Sequence, residues 1–146
     1  MLQDRLYDDL KKAMKSGNDV DKNTIQYVRA EVLRAEKDRG CKLTDADVEG
    51  IIFKEKIKRQ DALAMFEKAH RQDLMEKTFM ELTCLDRYLP KPMLEEELEA
   101  ELNKIIAEFD GDKTKFGQIM QLAKVKIGSR ATGKQISDVL KKLLNL

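Results

Sequence analysis

The spacing of its apolar residues constrains this chain more than any other feature. They recur three or four positions apart along almost its whole length, and that period belongs to the amphipathic helix rather than the strand. Leu2, Leu6, Leu10 and Ala13 make one stripe, and Ile25, Val28, Val32 and Ala35 a second. Leu98, Leu102, Ile105 and Phe109 make another; Phe116, Ile119, Met120 and Ala123 describe a short helix, and Ile136, Val139, Leu140 and Leu143 the last one. Composition agrees with the spacing. With 38% charged residues, 5% aromatics and no Trp, the chain has the coat of a helix bundle and too few aromatic and β-branched residues for a β-rich fold. The expected class is all-α.

Punctuation divides the stripes. Ser16-Gly17 and Gly40 read as helix stops, because glycine reaches the left-handed conformation that closes a helix. Thr44-Asp45-Ala46-Asp47 reads as a helix start, the Thr hydroxyl accepting from an amide three residues on while early acids favour the positive helix end. A long helix from Asp45 to about Ala69 follows, then a weak break at His70-Arg71. The next helix carries Met75, Phe79, Leu82 and Leu89 on one face, with Tyr88 at its end. The two prolines, Pro90 and Pro92, fall together; each lacks an amide donor and restricts its predecessor. A domain boundary is therefore expected there. A larger N-terminal helical bundle, residues 1–90, would be joined at a Tyr-Leu-Pro hinge to a small three-helix domain, residues 91–146. At 146 residues the chain suits one ordinary domain or two small ones.

The long helix has an unusual middle. Lys54, Glu55, Lys56, Lys58, Arg59, Gln60 and Asp61 surround a single Ile57. One reading is a solvated stretch supported by pairs such as Glu55 with Arg59 at spacing four. The other is a partly buried polar seam against which a ligand, a second domain or a partner docks, with Lys58, Arg59 and Asp61 as its contacts.

The near-neutral net charge of +1 conceals a local dipole. Residues 91–110 hold two Lys against seven acids, whereas from Gly111 onward eight Lys and Arg face two Asp. Patches of one sign attract polyanions independently of net charge. Within the basic segment, Gly128-Ser129-Arg130-Ala131-Thr132-Gly133-Lys134 meets the first seven positions of a phosphate-binding P-loop, but Gln135 stands where Ser or Thr would ligate magnesium. No buried strand precedes it, so a nucleotide-hydrolysing site is not expected. The ingredients of phosphate contact remain. Gly128 and Gly133 allow a backbone to come close, Arg130 can fork onto a phosphate, and Thr132 to Gln135 resembles a capping box whose helix favours an anion. Lys124, Lys126 and Lys134 add sequence-blind attraction to a nucleic-acid backbone. The bland alternative is that these lysines keep a small helical domain soluble and balance the acidic helix before them.

Other chemistries find little material. One His and two dispersed Cys cannot make a structural zinc site, and no acidic loop has calcium-binding spacing. No metal and no cofactor is expected. His70 reads as a surface or helix-end residue, and none of Ser16, Ser129 and Ser137 lies in a nucleophile elbow. Cys41 and Cys84 read as small buried or half-buried apolar residues, without a basic neighbour to activate either thiol. No leading apolar segment and no long hydrophobic span is seen, so a reduced, cytoplasmic, non-membrane protein is expected.

The chain resembles the YqeY-like family of small bacterial cytosolic proteins over essentially its full length. The resemblance rests on Lys58-Arg59-Gln60-Asp61 with Phe66-Glu67-Lys68-Ala69, Arg71 with Asp73-Leu74, and Tyr88-Leu89-Pro90. It continues through Glu95 to Leu98 and Gly117-x-x-Met120 to Arg130-Ala131-x-Gly133-Lys134. That family is similar to the tail domain of the B subunit of the tRNA-dependent amidotransferase, and a related module leads some glutaminyl-tRNA synthetases. The resemblance implies an all-helical fold and a tail domain that holds tRNA or other structured RNA. It carries Lys126, Arg130, Gly133 and Lys134 onto matching positions, with Lys124-Val125 and Ser129 departing from the common pattern. Three functions stay open: a non-catalytic RNA-binding protein, a protein-interaction adaptor, and an accessory component of a carbon–nitrogen ligase using glutamine as amido donor. No catalytic residue is assigned.

Overall fold

A computed structural model describes all 146 residues. Seven α-helices account for the fold and there is no strand: α1 (Leu2–Ser16), α2 (Asp19–Arg39), α3 (Asp45–Lys68), α4 (Gln72–Asp86), α5 (Glu95–Glu108), α6 (Phe116–Ile127) and α7 (Gly133–Leu144). Short 3-10 turns occupy Lys113–Lys115 and Gly128–Arg130. The chain divides into two compact units, Met1–Leu89 and Pro90–Leu146.

The helix limits follow from the residues that close them. Gly17 and Gly40 end α1 and α2 at φ 73° and 71°, a region glycine enters without steric cost. Thr44 starts α3 with a complete capping box: its hydroxyl accepts from the Asp47 amide at 3.2 Å, and the Asp47 carboxylate accepts from the Thr44 amide at 3.1 Å. The Thr44 amide first, and then the Thr44 hydroxyl, hold the Asp47 carboxyl below its ordinary range. The break between α3 and α4 turns at His70, exposed and at φ 56°.

In the N-terminal unit the core joins Leu6 and Leu10 of α1 and Ile25, Val28 and Val32 of α2 to Val48 and Ile52 of α3, and to Cys84, Leu85 and Tyr88 at the far end of α4. The apolar face of α4 read from the sequence is not the one in the core. Phe79 is 51% exposed, and Met75, Leu82 and Leu89 are half-buried. Thr78 takes the inner position instead, its hydroxyl donating to the Leu74 carbonyl at 2.7 Å so that no polar atom is left unpaired. Cys41 also differs from expectation: it is exposed, in the turn after Gly40, while Cys84 is fully buried. At ~1.5 Å per residue α3 and α4 run well past this core. The stretch between Ile52 and Cys84 contributes no apolar core residue, so it forms a two-helix arm in which Leu63, Phe66, Leu74 and Met75 are only half-buried.

The polar middle of α3 divides: Lys54, Lys58, Gln60 and Asp61 are exposed, while Glu55 and Arg59, the pair expected at spacing four, form a partly buried seam with α4 of the same unit. Glu55 is 4% exposed and accepts from Arg59 Nη1 at 2.6 Å, while Arg59 Nε donates to Glu81 of α4 at 2.8 Å. The guanidinium also lies over the Tyr27 ring of α2, 5.5 Å from its centroid. Burial pulls the Arg59 pKa down, but the bonds to Glu81 and Glu55 outweigh it and the net shift is upward. Arg59 therefore stays charged and ties three helices together. Lys56 of α3 reaches Asp86 of α4 at 3.0 Å.

The C-terminal unit packs three helices around Leu98, Leu102 and Ile105 of α5, Ile119, Ala123 and Ile127 of α6, and Ile136, Leu140 and Leu144 of α7. Asn145 closes α7 at φ 58°. No helix of the chain is long and apolar enough to cross a membrane.

Candidate nucleic-acid interface

The near-P-loop is a 3-10 turn followed by a helix start. Gly128 turns at φ 62°, Gly128–Arg130 makes the 3-10 turn, and Ala131 goes extended and is buried in the core. Thr132 then caps α7. Its hydroxyl accepts from the Gln135 amide at 3.1 Å, and the Gln135 side-chain oxygen accepts from the Thr132 amide at 2.9 Å. The capping box satisfies two of the donors that a helix start leaves open. The amides of Gly133 and Lys134 keep no protein acceptor, which leaves two donors at the positive end of α7.

The five sequence-derived residues separate into two groups. Lys124, near the end of α6, lies across the start of α7: a Cβ placed on Gly133 would stand 3.5 Å from Lys124 Cε and 3.8 Å from Nζ. Lys124 and Lys134 are both exposed and neither makes an ion pair, so two cations not engaged by a carboxylate stand at the start of α7. Lys126 and Arg130 are engaged. Lys126 Nζ meets Glu108 at 3.2 Å, and Arg130 Nη2 meets Glu97 at 3.1 Å. Arg130 does more than pair with an acid. Its Nε donates to the Lys91 carbonyl at 3.0 Å and its own carbonyl accepts from the Met93 amide at 2.9 Å, which fastens the Pro90–Met93 segment to the turn before α7. Lys142 is shared between Glu99 at 3.3 Å and Glu95 at 3.7 Å, and the Glu99 bond raises its pKa first.

The sequence alone did not reveal that pairing. Glu95, Glu97, Glu99 and Glu108 lie on the helix that precedes the basic segment, and each neutralises part of it across the three-helix core. Charge counts could not separate engaged cations from free ones, because the partners are 18 to 47 residues apart.

The second candidate set, in the N-terminal unit, is used internally. Lys58 binds Glu55 at 3.3 Å, Arg59 is held by Glu55 and Glu81 as above, and Asp61 is exposed on the arm. No group of three or more His, Cys, Asp or Glu side chains is placed to hold a metal ion. Cys84 is buried, and burial first, then Asp21, pushes its pKa up to about 12; such a thiol is not a nucleophile near neutral pH.

Taken together, the geometry defines an all-α protein of two helical units with a cationic helix start in the second. The chain belongs to the YqeY-like family, whose model matches residues 3–144. It is also similar to a protein of Pyrenophora tritici-repentis (strain Pt-1C-BFP) named altered inheritance of mitochondria protein 41, mitochondrial, at 29% identity over 143 residues. That match covers 93% of this chain and 79% of the relative. The relative's name places it in mitochondria.

Proposed function

We propose that the chain is a non-catalytic RNA-binding protein that holds tRNA or another structured RNA through its C-terminal unit, as the tail domain of the amidotransferase B subunit is taken to do. The observation that carries this reading is that Lys124 and Lys134, neither engaged by a carboxylate, stand at the start of α7, where the amides of Gly133 and Lys134 have no protein acceptor. Phosphate is the ligand such a group suits: the lysines supply charge and the amide a directed donor. Lys126 and Arg130 stand beside them as secondary contacts, each able to reach a phosphate only by giving up Glu108 or Glu97. The Tyr88-Leu89-Pro90 link serves as the hinge between the two units, and the free thiols suit a reducing compartment such as the cytosol.

The experiment is binding of unfractionated tRNA by the full chain over a salt series. Affinity should fall steeply with salt. The double variant Lys124→Ala/Lys134→Ala should lose roughly tenfold in affinity at low salt with an unchanged melting temperature. Equal binding by that variant, or binding indifferent to salt, contradicts the reading.

Adaptor function keeps one supporting observation, the arm of α3 and α4, on which Met65, Phe79 and Met80 are 69%, 51% and 57% exposed. Under that reading a protein partner survives nuclease treatment and is released by Phe79→Ser. An accessory role beside a glutamine-dependent carbon–nitrogen ligase is a third use of the same RNA-holding unit, tested by whether the chain stimulates the separate enzyme.

A further inference from the structure

The surface of α6 opposite its core carries more than the pair at its end. Ile119, Ala123 and Ile127 face inward, and the outward line, at steps of four, four and three residues, is Lys113, Gly117, Gln121 and Lys124, all exposed. Within α6, Gly117, Gln121 and Lys124 share one helix face, and Lys113 lies in the 3-10 turn that leads into it. The line spans about 17 Å from the 3-10 turn to the end of the helix. Cations stand at both of its ends, Lys113 and Lys115 at one and Lys124 and Lys134 at the other, and none of the four makes an ion pair. Asp112 is the acid nearest the first pair, and its carboxylate is turned onto Thr114, accepting from the hydroxyl at 2.7 Å and the amide at 2.9 Å.

Between those cations the line carries only Gly117, which has no side chain, and the uncharged Gln121. Gly117 has ordinary helical backbone, and a Cβ added there would meet nothing within 4 Å. The fold has no need of glycine at this position, and glycine weakens a helix. Close approach of another backbone is the remaining physical use of a missing side chain. No aromatic side chain of this unit is free to stack on a base: its two, Phe109 and Phe116, are packed against the core, and single-strand binding usually relies on such stacking.

We infer that α6 is a saddle for the sugar–phosphate backbone of double-stranded RNA, with Lys113 and Lys115 as a second phosphate-binding end and Gly117 as the point of closest approach. This rests on the RNA reading above and assigns it a substrate class, RNA in helical form read by shape. Gly50 of α3 supplies an internal control. It too is helical, exposed and open to a Cβ, but its neighbours one turn away are Ala46, Asp47, Phe53 and Lys54, which form no cationic line.

The test is fluorescence anisotropy of the full chain with a labelled RNA duplex of about 16 base pairs and with either strand alone. The duplex should bind more tightly than the strands. Gly117→Gln should weaken duplex binding about fivefold or more, by obstruction of a backbone contact, with a melting temperature equal to or above that of the parent. Gly50→Gln should leave binding unchanged. Lys113→Ala/Lys115→Ala should weaken it and reduce the slope of log affinity against log salt by about 1.5. Parent-like duplex binding by Gly117→Gln, or preference for single strands, overturns the saddle while Lys124→Ala/Lys134→Ala still reports on the RNA reading. Absence of any RNA binding by the parent chain overturns both.

Discussion

The two units use the same kinds of charged residue to opposite ends. In the N-terminal unit one cluster of ion pairs is structural cement, beside exposed pairs such as Arg71–Asp73: Glu55 is nearly inaccessible, and Arg59 is held at once by Glu55, Glu81 and the face of Tyr27. In the C-terminal unit the pairs are exposed, as Lys126–Glu108, Arg130–Glu97 and Lys142–Glu99 show. Exposed pairs contribute little to stability and exchange readily for other partners, whereas a buried pair costs several kcal/mol to break from one side. A lysine or arginine in this chain is therefore available to a polyanion according to where its carboxylate lies, not according to how basic its stretch of sequence looks. Lys58 and Arg59 sit in as basic a run as Lys124 and Lys126, yet Arg59 joins α3 to α4 through Glu81 and Lys58 pairs with Glu55 of its own helix.

The comparison breaks first where each unit has its own core. Leu102 is fully buried in the C-terminal unit, so Leu102→Ala should cost about 3 kcal/mol. Calorimetry should show that loss in a transition that also abolishes RNA binding, while hydrogen exchange in α1 and α2 is unchanged. Loss of protection throughout the chain would show that the units do not fold separately. Next in size, Glu55→Gln should cost about 2 to 3 kcal/mol, since Arg59 keeps Glu81 but loses its buried partner. RNA affinity should not move. A fall in affinity with no change in stability would mean that the seam is an RNA contact after all.

Smaller effects sharpen the account of the second unit. Thr132→Ala removes one half of the α7 capping box and should cost about 1 kcal/mol by denaturant titration; it should also weaken RNA binding, because the amide at Gly133 is no longer held in place. Arg130→Ala should cost less than about 1 kcal/mol and increase protease cleavage at Lys91, because the Lys91 carbonyl loses its donor.

Thiol chemistry distinguishes buried from exposed most simply. Cys41 should react with an alkylating reagent in the native protein, and Cys84 only on unfolding. The Cys84 pKa is raised on folding, from 9.0 to about 12, so its contribution to stability is complete below pH 9 and is lost as pH rises toward 12. Alkaline melting curves of the parent and of Cys84→Ala should therefore converge as pH is raised through that window.

Much of the fold was legible because local rules and tertiary demands agreed. The glycine stops at Gly17 and Gly40, the Thr44 and Thr132 capping boxes and the helical stripes of α1, α2, α5 and α7 all stand as read. The misreadings share one cause. On α4, the stripe through Phe79 was as apolar as any, but Thr78 could be buried by bonding its own helix, a satisfaction that no hydropathy pattern displays. Cys41 follows a helix-ending glycine and stays in the turn, where nothing packs over it. At the candidate site, the lysines and the helix start were readable, whereas the commitment of Arg130 to Lys91 and Glu97 was not, because it depends on contacts more than 30 residues away.

Amide chemical-shift mapping of the full chain during titration with unfractionated tRNA tests the central claim most directly. Shifts are expected at Lys113–Lys115, along the outer face of α6, and at Gly133 and Lys134, with the amides of Lys58, Arg59 and Asp61 unmoved. Shifts concentrated on α3, or no shifts at low salt, would contradict that claim.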